Sequence, residues 1–330
     1  MLTVVAAGRL SSIQDGGRQG MRHLGVGRSG ALDPLALAVG NLLVGNAPDA
    51  AGLELTLGPV ALRFDRAVRF ALTGADWDAR LDGEPVHAWW AYTAQPGQAL
   101  VLRAPRAGMR AYLSVAGGID VPVKLGSRSV DFAAGFGGFH GRALNDGDAL
   151  PLGAPGDQAG VGLERPPIGV KSPALCRSLA PRGGAARDDV LTVRVLPGAE
   201  FEQFSCATRD DFWQQRWQIT PNSNRMGYRL QGRGLQRERD DDLLSHAVLP
   251  GTIQVPPDGQ PIILMRDAQT TGGYPRAGAV IGADLWRLSQ ARLNTTLRFV
   301  EVDAAEARHA LQAVGDYLRQ VADALGEAMR

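Results

Sequence analysis

"PGTIQVPPDGQPIILM", residues 250–265, holds two short apolar runs, 253–255 and 262–265, set apart by Pro, Asp and Gly. Proline has no N–H to give to a helix, and Asp-Gly favours a turn, so the stretch predicts short strands. Similar β-branched or alternating runs recur at 3–6, 53–57, 61–64, 68–72, 100–102, 111–115, 192–196 and 297–302. The 42 glycines and 20 prolines punctuate them. That spacing predicts a mainly β chain of sandwich or barrel type rather than repeated βαβ units.

Three helices are predicted. One is capped by Asp33, has Pro34 in its first position, buries Leu35, Val39, Leu42 and Leu43, and stops near Gly45. A short one follows Thr208 and turns Phe212, Trp213 and Trp217 to one face. The C-terminal one opens on an Asp303/Glu306 capping box, with Leu311, Val314, Leu318, Val321 and Leu325 as a core-facing stripe.

With 330 residues, 45% of them hydrophobic and 21% charged, the chain is long enough for two cores. Residues 154–189 are rich in Pro, Gly and Arg and read as a connector, which predicts lobes at 1–153 and 190–330. The formal charge of +1 leaves no surplus to drive binding to nucleic acid or an anionic membrane. Cys176 and Cys206 make no disulfide framework and are expected as reduced core residues. No leader pattern opens the sequence and no apolar run approaches membrane-spanning length, so a soluble cytoplasmic protein is expected.

Familiar cofactor motifs fail on context. Gly25, Gly27 and Gly30 match G-x-G-x-x-G, but no good strand precedes them and the next helix is capped beyond them by Asp33. No Walker loop and no G-x-S-x-G elbow occur, and five scattered histidines indicate no metal site. "RERDDDLLSH", residues 237–246, reads as a solvated loop of mixed charge.

Three segments concentrate chemistry. "SSIQDGGRQG", residues 11–20, sets Gln14, Asp15 and Arg18 among glycines, as a tight structural turn or a ligand-facing one. In "LGSRSV", residues 125–130, Arg128 offers a planar fork to an oxyanion, or braces a loop. "SNRMGYRLQG", residues 223–232, and "ILMRDAQTTGGYPRAGAVI", residues 263–281, are the strongest pair. An apolar strand delivers Asp267 into a turn carrying Gln269, Thr270, Thr271, Gly272 and Gly273, with Tyr274 and Arg276 beyond. Such a turn forms a pocket floor, or else a hairpin whose side chains satisfy local N–H groups.

With "GVGRSGALD", "NLLVGN", "YLSVAGGIDVP", "GFGG" and the residues 250–265 above, these motifs resemble the bacterial 5-oxoprolinase C-subunit family, also called KipA or allophanate hydrolase subunit 2 and often labelled biotin-dependent carboxyltransferase. The resemblance runs from Ser11 to Trp286. It implies two cyclophilin-like β-barrel lobes, with a few short helices and a C-terminal one. It implies two partners, a paralogous KipI-like B subunit plus the A subunit of 5-oxoprolinase, and ATP with Mg in the assembled complex opening 5-oxo-L-proline to L-glutamate. The alternatives it implies are half of a urea carboxylase-like carboxyltransferase, or a regulatory partner of a KipI-like protein. Two departures stand out: Val130 replaces a usual Thr, and no Met-Lys-Met segment is present to carry biotin on this chain.

On that resemblance Asp267 orients the lactam, and Arg225 and Arg276 hold carboxylate or phosphoryl oxygens. Thr270, Thr271 and the amides of Gly272 and Gly273 receive oxyanion charge, while Gln269 and Tyr274 line the site. Arg18 and Arg128 are placed second, for closing the site or meeting the KipI-like partner.

Overall fold

A computed structural model describes residues 1–154, 163–173, 190–238 and 243–328. It divides into two units, the first Met1–Gln19, Ser29–Pro181 and Gly315–Arg330, the second Gly20–Arg28 and Arg182–Val314. Two segments therefore cross the contiguous partition expected from the connector, and most of that connector, with Cys176, lies outside the described residues.

Ten strands form one sheet in the first unit: β1 (Leu2–Ala6), β2 (Leu10–Gln14), β3 (Gly52–Thr56), β4 (Val60–Phe64), β5 (Val68–Leu81), β6 (Glu84–Val86), β7 (Trp90–Ala94), β8 (Ala99–Val115), β9 (Ala149–Leu150) and β10 (Ile168–Gly169). The order is β10-β7-β5-β8-β4-β1-β9, with β3 joining β2 to β8 and β6 edging β5. The long β5 and β8 pair antiparallel with register shifts between residues 74 and 79. Those bulges bend the ladder.

Helix α1 (Pro34–Leu43) packs on β5 and β8 and starts where the sequence predicts, the Asp33 carboxylate accepting Ala36 N–H at 2.9 Å. Gly40 is required for that packing, since a Cβ there would sit 2.8 Å from Ser114 Oγ. The start of α1 is tied to the sheet by a buried polar chain. Tyr112 donates to Glu54 at 2.7 Å and accepts Asp33 N–H at 2.8 Å, while Glu54 also accepts Leu32 N–H at 2.9 Å. Burial, then the Glu54 and Asp33 charges, push the Tyr112 phenol well up, so it stays a donor.

In the second unit β11 (Leu191–Pro197), β12 (Trp217–Ile219), β13 (Gly227–Gln231), β15 (Thr252–Gln254), β16 (Ile262–Leu264), β18 (Arg276–Val280) and β19 (Thr296–Glu301) close a barrel in the order β11-β18-β15-β16-β13-β12-β19. A parallel β11–β19 pairing shuts it. The two runs that open the sequence analysis are β15 and β16, paired antiparallel through Ile253 and Ile263, both fully buried. Each such side chain contributes roughly 1.5–3 kcal/mol on burial. Outside the barrel β14 (His246–Ala247) pairs with β17 (Thr271–Gly272).

Three helical expectations are corrected. Helix α2 (Cys206–Gln214) begins earlier, capped by Ser205, and Trp217 belongs to β12, its indole N–H donating to Phe212 O at 3.2 Å. Cys206 is exposed rather than buried, because it sits in the first turn of that surface helix. In the C-terminal helix α4 (Ala304–Ala328), which follows the short α3 (Leu285–Gln290), the reciprocal box forms, with Asp303 and Glu306 exchanging N–H bonds at 2.8 Å. Its stripe is covered only toward the C-terminal end: Val321 and Leu325 are buried, whereas Leu311 is 55% exposed.

Candidate functional site

Beyond β16 the chain turns sharply. Met265 N–H donates to Met226 O at 2.9 Å and Asp267 N–H to Arg225 O at 3.0 Å, stitching the turn to the residues before β13. Ala268 drops into a small core with Val248 and Leu264. The Asp267 carboxylate then meets Arg225 as a fork, Nε to Oδ2 at 2.7 Å and Nη2 to Oδ1 at 3.0 Å. Their side chains are only 5% and 6% exposed. Expected as two separate substrate contacts, Asp267 and Arg225 face each other instead, because a buried carboxylate is most favourable against a planar cation that satisfies both oxygens.

That fork is the footing of the loop at 269–275. Val248 N–H donates to Thr270 O at 3.0 Å, and Val255 N–H to Pro275 O at 3.0 Å. Arg22 reaches Val248 O, and also Gln269 O at 3.3 Å. Gln254, a buried amide on β15, accepts from Gln269 Nε2 and donates to Tyr274 O, both at 3.4 Å. Gly272 lets the loop lie close on that amide, since a Cβ there would sit 2.7 Å from Gln254 Nε2 and push the side chain aside. The loop's outer face is polar and open. Thr271 and Tyr274 are exposed and Thr270 is half-buried. Gly273 and Tyr274 border a cleft of about 900 Å³ that Arg233, Leu243, Pro256 and Gly259 also line.

Arg276 starts β18 with its charge already answered. Its backbone N–H and Nε donate to Glu200 Oε2 at 3.0 and 2.7 Å, and Nη2 to Oε1 at 2.5 Å. These bonds hold the Glu200 carboxyl below the usual range, with burial opposing. A depressed carboxyl contributes stability above its unfolded pKa of about 4.3 and loses it as pH falls through the folded value. The stability gap between wild type and Glu200→Gln is thus expected to be open at pH 7 and to close toward about pH 3, read by urea unfolding at each pH. An equal gap at both would remove the ion pair as its source.

Arg18 and Arg128 belong to the first unit. Asp15 is a hub there: Oδ1 accepts Gly17 N–H at 2.8 Å and the Ser127 and Ser129 hydroxyls at 2.6 Å, and Oδ2 accepts Arg128 N–H at 2.5 Å. Arg128 braces its loop, Nε on Val121 O at 2.8 Å and Nη2 on Asp120 at 3.2 Å. Arg18 is 1% exposed, its guanidinium 4.4 Å over the Phe136 ring and donating to Ser129 O at 2.6 Å. Burial gives Arg18 a structural contact in place of the surface one expected.

A family model described as "Carboxyltransferase domain, subdomain A and B" matches residues 24–301. The chain is also 45% identical over 322 residues to the 5-oxoprolinase C subunit of Escherichia coli (strain K12), covering 98% of each chain. It belongs to the 5-oxoprolinase C-subunit family. The Haemophilus influenzae 5-oxoprolinase C subunit is 39% identical over 326 residues, 98% of this chain and 99% of that one. The crystal structure of the K. lactis urea amidolyase superposes with a TM-score of 0.85 at 28% identity, over 97% of this chain and 20% of that longer one.

Within this C-subunit frame, sequence reading missed Gln254, Glu200 and Arg22. A lone amide in the apolar run T-I-Q-V was a usable signal for Gln254, because a buried polar residue needs partners. Glu200 and Arg22 carried none, since their partners are supplied by distant segments. Among the described residues, no cluster of three or more His, Cys, Asp or Glu could hold a metal, and no helix is long and apolar enough to cross a membrane.

Proposed function

We propose that this chain is the C subunit of a cytoplasmic ATP-dependent 5-oxoprolinase, active only together with the A and B subunits, which opens 5-oxo-L-proline to L-glutamate. Identity of 45% to the Escherichia coli relative over nearly the whole of both chains carries the reading. A lactam is an unstrained amide with a poor leaving group, so its opening depends on ATP for activation and on groups that stabilise charge at the carbonyl oxygen. The 269–274 loop supports that role: Thr271 is exposed and Thr270 half-buried, and the Gly273 amide makes no backbone bond to another described residue. Gln269 and Tyr274 flank the substrate, and the Arg225–Asp267 fork, with the Glu200–Arg276 pair, positions the loop rather than touching the reacting atoms. ATP and its Mg belong in this proposal to the assembled complex, because the described residues gather no acidic cluster for the metal.

Co-expression with its neighbouring subunits, followed by an assay of phosphate release, tests the proposal. Release that depends on 5-oxoproline and on this chain is expected; none with all three subunits present would overturn it. A second reading is supported by the family description and by the likeness to a urea amidolyase: half of a biotin-dependent carboxyltransferase, with biotin carried on another chain. Activity that requires a biotin carrier and a urea-like acceptor would favour it.

A further inference from the structure

Gln254 stands on β15 at the point where that strand's pairing with β18 shifts register, Ile253 lying opposite Gly278 and Gln254 opposite Arg276. Successive side chains of a strand face opposite ways. Both are nonetheless buried, Ile253 wholly and Gln254 at 2% exposed, because the 269–275 segment covers the side on which Gln254 projects. An apolar side chain would fill that place at less cost, since a buried amide is unfavourable unless its oxygen and nitrogen both find partners. Here they do, and at the two ends of one loop: Oε1 accepts from Gln269 Nε2, and Nε2 donates to Tyr274 O. Arg22 holds the same Gln269 by its main chain, donating to that carbonyl at 3.3 Å and also to the carbonyl of Val248. Gly272, between the two ends, comes so close that a Cβ there would meet the Gln254 amide.

We infer that Gln254 is a positioning residue for the 269–274 loop: one amide ties residue 269 to residue 274, so that Thr270, Thr271 and the Gly272 and Gly273 amides between them keep a single arrangement. Each bond is long at 3.4 Å and weak alone. Their meeting at one side chain is what restrains the loop, because freeing either end gives the residues between them back their backbone freedom. Gln254 touches no reacting atom; it acts by fixing groups that must be in place before charge develops on a carbonyl oxygen. Only the expected effect on turnover rests on the 5-oxoprolinase reading; the tie itself does not.

Gln254→Met is the principal variant, being close in length and shape but with neither donor nor acceptor. In the full chain, hydrogen exchange is expected to quicken about fivefold to thirtyfold at the Val248 amide, which bonds to Thr270 O, while the β13–β16 ladder keeps its protection. Gln269→Met, which removes one of the two bonds from an exposed residue, should give a smaller rise, and the double variant no more than Gln254→Met alone. In the assembled complex, kcat for 5-oxoproline-dependent phosphate release should fall about tenfold to a hundredfold, with KM within about threefold of wild type. Unchanged exchange at Val248, or faster exchange with full turnover, overturns the inference. If Gln254→Met does not fold, an unaltered exchange rate in Gln269→Met overturns it instead. A wild-type complex that releases no phosphate with 5-oxoproline, together with faster exchange in Gln254→Met, would refute the enzymatic reading and leave the tie standing.

Discussion

Asp267→Ala is expected to lower the unfolding free energy of the second unit by about 3–5 kcal/mol, because it strips the carboxylate from a buried bidentate pair and leaves the Arg225 charge in a dry setting. The fork is 2.7 and 3.0 Å long and its two side chains are almost wholly enclosed, so solvent cannot take over the lost bonds. Asp267→Asn keeps the shape and one acceptor, and should cost less. The double variant Asp267→Leu/Arg225→Met removes both charges and should recover much of the loss, since an apolar pair of similar volume avoids desolvation altogether. Equilibrium denaturation checks all three. A mild Asp267→Ala, within about 1 kcal/mol of wild type, would mean that the pair is effectively solvated. If the fork positions the 269–274 loop, the double variant should stay folded yet lose activity in the assembled enzyme. Full activity there would release Asp267 and Arg225 from any part in the site.

In the first unit the corresponding expectation concerns Asp15→Ala. One carboxylate anchors Gly17, Ser127, Arg128 and Ser129 through four hydrogen bonds. Bonds to a charged acceptor are worth roughly 1.5–3 kcal/mol each, but they share one group and are not additive, so a loss of about 3–5 kcal/mol is expected. The effect should be local before it is global. Amide exchange at Gly17 and Arg128 should accelerate most, while the β5–β8 ladder, which has no bond to Asp15, should keep its protection. Uniform acceleration would contradict a local latch. The glycines of "SSIQDGGRQG" thereby acquire a purpose: Gly17 turns its N–H onto the carboxylate with φ at 83°, a conformation costly for any residue with a Cβ.

Much of the architecture was legible from short-range pattern. Apolar alternation located the β15 and β16 strands, Asp33 with Pro34 marked the start of α1, and Asp303 with Glu306 that of α4. Each depends on neighbours within a turn or two of chain, where spacing alone sets which groups meet. The 269–274 loop was legible for the same reason, as polar residues and glycines directly after a buried strand.

What tertiary structure alone decided is where each charge finds its counterpart. Arg225 and Asp267 are 42 residues apart, Arg276 and Glu200 76, and Asp15 and Ser129 114. Residue type states that an arginine seeks a planar acceptor, but strand order determines which carboxylate comes within 3 Å. So composition and periodicity determined a β protein with a polar, glycine-rich loop after a buried strand, and the barrel's closure paired Asp267 with Arg225 and Arg276 with Glu200. The physical reason is range: backbone preferences act over a few residues, whereas an ion pair is made only when distant segments are brought together by packing.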